Sequence, residues 1–318
     1  MKTILFPGTA LLLLMLTGCA SSPEEELAGR IWSDTRRDFI TERELTESLQ
    51  AEDFLLLGEI HDHPEHHRIR AELIRSISGE KRQPVMTMEM IDRDHRESLR
   101  EYLAREDADA EGLGPALDWE ATGWPDWALY KPLAEAALAR GLAIADGNLP
   151  RARVREMVRG GGLQALPEEK KKALHLDTPL PEEADHRLLA RLRESHCDML
   201  PEEALRAMRD GQRLRDAWMA SRMRELNESD GVILIAGNAH VQHDHGVPWY
   251  LRASGEKSVF SLALIPVRPG LHRVEDYLPE GMTSFPWDAV YFTSPRPEPP
   301  PDPCEIMKEA GAGAEDQP

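Results

Sequence analysis

Four short apolar runs, each ending directly in a polar turn, constrain the fold of this chain more than any other feature of its sequence. They cover 54–57, 84–90, 143–145 and 231–237, and they meet Gly58 with Glu59, then Glu89, then Asp146, Gly147 and Asn148, then Asn238 with His240. Runs of that length read as strands covered on both faces, which is the habit of parallel sheets. After the first run, Ile69, Leu73, Ile74 and Ile77 recur at helical spacing, and Pro64 sits where a helix can open without losing a needed N–H. The expected fold is therefore α/β, with a mostly parallel central sheet flanked by helices. Parallel strands bring their carboxyl ends to one edge, and that edge is where such sheets bind ligands.

Glu59, His61, Glu89, Asn148, Asn238 and His240 should converge there. Seven of the 12 histidines fall in the first and last of the turns: His61, His63, His66, His67, His240, His243 and His245. A carboxylate in a core costs several kcal/mol unless it is paired, metal-bound or protonated, so Glu89 needs a partner if buried. Neutral imidazole and carboxylate are ligands for borderline metals such as iron or zinc, and they also make a general-base set. His61, Glu89 and His240 are the candidate ligands of a divalent metal; Glu59, His61, Glu89 and His240 are the candidate catalytic set. Neither H-E-x-x-H nor C-x-x-C occurs, so no zinc signature decides between them. On a plainer reading Asp62 or His63 caps the helix, and His66 and His67 are taken as solvated.

Elsewhere, 31–40 is read as a small edge hairpin, Thr41 to Glu44 as a capping box, and 259–267 and 289–293 as further strands. Trp119 to Pro132 concentrates aromatics; they either form a core corner or wall a planar-ligand pocket, with Trp127 and Tyr130 as its candidates. Strand signal disappears over 161–227, which is read as a helical insertion subdomain within a core of 31–160 and 228–294. In it His196 to Leu200 gathers soft and borderline ligands, and Met208, Gln212, Asp216 and Met219 share one helix face. On a plainer alternative the methionines fill the core and Asp216 pairs with Arg213 or Arg215, which suits the methionines better than Asp216 and Gln212.

The start of the chain reads as a leader: Lys2, an apolar run, then Leu16-Thr17-Gly18-Cys19. The run is shorter than the roughly 20 residues a bilayer needs, and a cysteine after small residues looks like the lipobox of a bacterial lipoprotein. Residues 1–18 would then be a signal peptide, Cys19 the acylated first residue and 19–30 a tether. Ala20 and Ser21, with no acid among them, resemble the sorting signal for the outer membrane, which would anchor the protein on its periplasmic face. With 57 acidic against 38 basic side chains and a net charge of −19, the chain repels phosphate backbones, and nucleic acid is excluded as a partner. Residues 295–318 are proline-rich and read as disordered, with Cys304 free.

The turns also carry a family likeness. GEIHDHPEHH at Gly58, MEM at Met88, W..W..Y.P from Trp124 to Pro132, NLPR at Asn148, HCDML at His196, GQRLRDAWMA at Gly211 and AGNAHVQHDHGVP at Ala236 follow in order. In this order they resemble the ChaN family of haem-binding lipoproteins, in the superfamily that includes Tiki proteases, TraB proteins and erythromycin esterases. The resemblance implies haem bound in company with homodimerisation, and a role in haem or iron acquisition. No tyrosine lies between Lys131 and Trp249, which leaves His175, His186, His196 and Cys197 as axial candidates in the insertion, of which His196 is preferred. From the superfamily's hydrolases it implies an alternative: a metal-dependent peptidase or esterase in which His61 and His240 bind metal or activate water beside Glu59 and Glu89.

Overall fold

The computed structural model describes residues 27–228, 230–296 and 304–305. The expected signal peptide, acylated Cys19 and most of the proline-rich tail lie outside the described residues. Among the described residues no helix is long and apolar enough to cross a membrane.

Eight strands form one sheet in the order β2-β1-β8-β7-β3-β6-β4-β5. They are β1 (Ile31–Ser33), β2 (Asp38–Ile40), β3 (Phe54–Glu59), β4 (Val85–Asp92), β5 (Ile144–Asn148), β6 (Val232–Gly237), β7 (Val259–Pro266) and β8 (Ala289–Thr293). β3 to β8 run parallel, and the β1–β2 hairpin closes one edge antiparallel to β8. Period-two alternation is present within the apolar runs, with both phases buried. Leu55 and Leu57 of β3 and Ile233 and Ile235 of β6 enter one core, while Phe54, Leu56, Val232 and Leu234 enter the other. This is why the runs read as continuous.

The first core is covered by α1 (Glu42–Gln50), α2 (Pro64–Ile77), α3 (Arg96–Leu103), α4 (Ala110–Ala116), α5 (Trp119–Thr122) and α6 (Trp127–Ala139). Thr41 caps α1 in the expected box with Glu44. The second core is covered from the 161–227 segment and by α11 (Val247–Ala253), after α7 (Arg151–Arg159). That segment holds α8 (Glu168–Ala173), α9 (Glu182–Ser195) and the 25-residue α10 (Glu202–Leu226). It is helical as expected. Leu214, Ala217, Met219, Ala220 and Met223 of α10 are buried in one cluster with β6, so this half of α10 belongs to the main core.

Several expectations are corrected. Residues 27–30 are no tether: Leu27 is buried, and Gly29 N–H donates to Phe292 O at 2.8 Å. Cys304 is not free but forms a disulfide with Cys197, 107 residues away. His66 and His67 are buried, because α2 turns His66, His67, Arg70, Ile74 and Ile77 inward at spacings of three and four. Ile60 N–H donates to His66 Nδ1 at 2.9 Å, and His66 Nε2 lies 3.0 Å from Thr293 Oγ1, which fixes a neutral imidazole spanning β3 and β8.

Arg70 is wholly buried, with a guanidinium pushed down to about 9 by burial. It bonds the carboxylate of Glu59, itself buried at the end of β3. Removing the cation strands a buried charge. Arg70→Met should lower unfolding free energy by about 3–5 kcal/mol in denaturant titration; a loss below about 1 kcal/mol, the range of exposed pairs, would show that the pair does not hold α2 to the sheet.

Candidate functional site

The order of strands reverses beside β3, since β4 and β5 lie to one side and β7 and β8 to the other, with β6 returning between β3 and β4. Such a reversal leaves a crevice at the carboxyl edge. Glu59 pairs in register with Gly237, and Glu89 lies one residue beyond the Met88–Ile235 pair. The two carboxylates therefore arrive at the same edge on either side of β6, with 2–3% of their surface exposed.

Each is neutralised differently. Glu59 holds Arg70, and its Oε1 lies 2.7 Å from His61 Nδ1. His67 Nδ1 stands 3.5 Å from Glu59, and its Nε2 is 2.9 Å from the His61 carbonyl. Burial pushes His67 down to about 4 and moves His61 below its ordinary value, opposed by the charge of Glu89. A neutral His61 donates from Nδ1 to Glu59 and presents the Nε2 lone pair, the arrangement of an oriented general base. That nitrogen lies over Gly237, where a Cβ would come within 2.9 Å of it, so the glycine is needed for close approach. Its ring packs on Trp124 with centroids 4.8 Å apart.

Glu89 instead bonds His240. Its Oε1 is 3.1 Å from His240 Nε2, and its Oε2 accepts Gly237 N–H at 2.8 Å. On the far side of the ring, His240 Nδ1 lies 2.5 Å from Asp216 Oδ1, with the Gln212 amide 3.1 Å away. Burial opposes charge on His240, but Glu89 and Asp216 outweigh it and raise the imidazole to about 10. Burial also opposes charge on Glu89, yet the His240 charge and hydrogen bond hold it below the carboxylate range. Asp216 is raised, burial outweighing His240.

Asp216 thus serves His240, against the plainer alternative of Arg213 or Arg215; Arg213 bonds the Tyr250 hydroxyl and the Thr178 carbonyl. The shared face of Gln212 and Asp216 was the sequence signal for this contact. His61, Glu89 and His240 do not make the metal site expected of them. Among the described residues no group of three or more His, Cys, Asp or Glu side chains is placed to hold a metal ion. Both nitrogens of His240 are committed to carboxylates, and His61 Nε2 stands 3.9 Å from Glu89.

The remaining candidates scatter. Asn148 lines the cleft that Glu89 and Trp124 also line. Asn238 turns to β7, donating to Leu264 O at 2.7 Å. Tyr130 and Trp127 pack around Trp119 as a core corner, and the Tyr130 hydroxyl donates to the His61 carbonyl at 3.4 Å. His196 sits at the carboxyl end of α9 with Nδ1 2.7 Å from Leu192 O, beside the disulfide and away from the aromatic corner. The inward polar face of α2 was missed, although its spacing is legible. Between α7, α8 and α10 lies a cavity of about 750 Å³, lined by Met157, Leu166, Leu174, Leu214 and Trp218 with Arg93, Arg153 and Lys170.

A family model described as haem-binding uptake, Tiki superfamily, ChaN, matches residues 45–251. The chain belongs to this family. Among solved structures, Campylobacter jejuni ChaN with cofacially bound haem matches this ChaN-family chain with a TM-score of 0.64 at 20% identity, over 82% of this chain and 95% of that one. At that identity the likeness establishes the fold. The type III effector HopBA1 matches at TM-score 0.44 and 12% identity, over 79% of this chain and 92% of the effector. Erythromycin esterase EreC in its open conformation matches at 0.38 and 16%, over 70% and 72%. No curated protein matches the chain in sequence.

The histidines give this ChaN-family fold a defined pH profile. His66, held down at about 2, stabilises the fold above its ordinary 6.5, and that stability is lost as pH falls from 6.5. His240, raised to about 10, stabilises it fully below 6.5, and that share is lost as pH rises from 6.5 to about 10. The melting temperature should therefore peak near neutrality, and His240→Gln should flatten the alkaline limb between pH 7 and 10; an unchanged limb in the variant would refute the assignment.

Proposed function

We propose that this ChaN-family protein binds haem in the cavity between α7, α8 and α10 and serves haem or iron acquisition as a homodimeric lipoprotein, anchored in the outer membrane through Cys19. The cavity carries the reading. Haem needs a broad apolar wall for the porphyrin and cations for its propionates, and about 750 Å³ walled by Leu166, Leu174, Leu214 and Trp218 with Arg93, Arg153 and Lys170 supplies both. Met157 contributes the soft donor in this wall, while His196, with Nδ1 tied to Leu192 O, keeps Nε2 for a ligand at the neighbouring face. Bound haem supplies the iron cargo. The lipid anchor is supported by the Leu16-Thr17-Gly18-Cys19 pattern, and outer-membrane sorting by Ala20 and Ser21.

The test is a haem titration of the purified protein followed by Soret absorbance and by mass in solution. Saturable binding with a monomer-to-dimer shift is expected, and Met157→Glu should weaken it at least tenfold, about 1.4 kcal/mol. Unsaturable binding overturns the reading, and loss on His196→Ala alone moves the haem to the α9 end.

The oriented Glu59–His61 pair favours a second reading, hydrolysis, in which His61 Nε2 takes a proton from water. Turnover of p-nitrophenyl esters that falls about 10²–10⁴-fold in His61→Ala would establish it. Turnover unaffected by that change removes His61 from any such chemistry.

A further inference from the structure

A second cavity, a cleft of about 290 Å³, opens beside Glu89, and Arg151 and Arg215 both line it. Arg151 is the first residue of α7 and stands exposed at the mouth, its guanidinium 5.0 Å from the Trp124 ring centroid. Arg215 comes from α10, one residue before the aspartate that holds His240, and is half-buried. Among the described residues neither guanidinium has a hydrogen bond or an ion pair with a carboxylate.

Most of the acids around them are already engaged, Asp118 on the same wall being the exception. Glu89 serves His240 and Gly237 N–H; Asp216 serves His240. Asp92 accepts from Asp94 N–H and pairs with His95. Asp146 is held by Arg96 and Arg222, so nearby arginines do find carboxylates in this fold. Two arginines in one cleft, neither with a hydrogen-bonded carboxylate, leave guanidinium N–H donors to be satisfied. An anion would satisfy them, and a guanidinium fork matches the oxygens of a carboxylate or phosphoryl group. The same wall carries the amino-terminal turn of α7, whose N-cap Pro150 makes no side-chain cap bond, and the helix dipole there also favours an anion.

We propose that this cleft binds a small ligand bearing a single carboxylate or phosphoryl group, held by Arg151 and Arg215 beside the Glu89–His61 edge. Asp92 and Asp118 also line it and select against polyanions by their charge. The site is separate from the haem cavity, although Leu149 and Pro150 form part of both walls.

Calorimetric titration of the purified protein with inorganic phosphate and, separately, with acetate tests this. Saturable heat with at least one ion is expected, and the ion that binds identifies the group. Arg151→Gln and Arg215→Gln should each weaken that binding at least tenfold, whereas Arg43→Gln, at an exposed arginine of α1, should leave it unchanged. Arg151 is exposed, so its variant keeps the test decisive if Arg215→Gln fails to fold, which circular dichroism reads. The proposal is overturned by an absence of saturable heat with both ions, or by an affinity unchanged in Arg151→Gln. It is equally overturned if the arginine variants weaken haem binding and leave phosphate and acetate untouched, because the arginines would then serve haem propionates.

Discussion

A buried charge governs the architecture around the central strand. Glu59 ends β3 where water does not reach, and an uncompensated carboxylate there would cost several kcal/mol. Arg70 compensates it, and in doing so fixes the register of α2 against the sheet. The turn between them has little freedom left. His61 bonds the second oxygen of Glu59, His67 bonds the His61 carbonyl, and His66 reaches across to β8. The orientation of the one partly exposed imidazole in the site thus follows from the neutralisation of a carboxylate behind it.

The neighbouring carboxylate is compensated from the other face of the sheet. Glu89 meets His240 after β6, and His240 is held by Asp216 of α10. A chain of alternating charges runs from the strand edge into the helix that covers the second core. This explains why α10 is part of the main body and not a separable lid. The same helix brings Arg215 to the cleft. The β5–α7 turn then divides the space, with Leu149 and Pro150 walling the polar cleft on one side and the apolar cavity on the other. The polar cluster and the apolar cavity therefore sit in adjoining compartments.

Much of this was legible. Strand positions, the parallel sheet, the capping box at Thr41 and the convergence of Glu59, His61, Glu89 and His240 follow from runs, periods and turn residues, which are local properties. The reading failed where a side chain's environment depended on a distant element. His66 and His67 look solvated beside Glu65 and Arg68, yet the helix phase set by Ile74 and Ile77 turns them inward. Asp216 follows arginines at 213 and 215, which offered themselves as partners by proximity; adjacent Arg215 points in another direction, and Arg213, three residues back, is held by the Tyr250 hydroxyl and the Thr178 carbonyl.

What the sequence determined by itself is the order of strands and helices and the delivery of acid and imidazole to one edge, because backbone periodicity and covalent order are written residue by residue. The tertiary structure alone decided the pairings: Glu59 with Arg70, His240 with Asp216 across 24 residues, Cys197 with Cys304 across 107. It also decided that Tyr130 and Trp127 fill a corner while α7, α8 and α10 enclose the open cavity. The physical reason is that the energy of a buried polar or aromatic group is set by what surrounds it, and its surroundings come from parts of the chain far away in sequence.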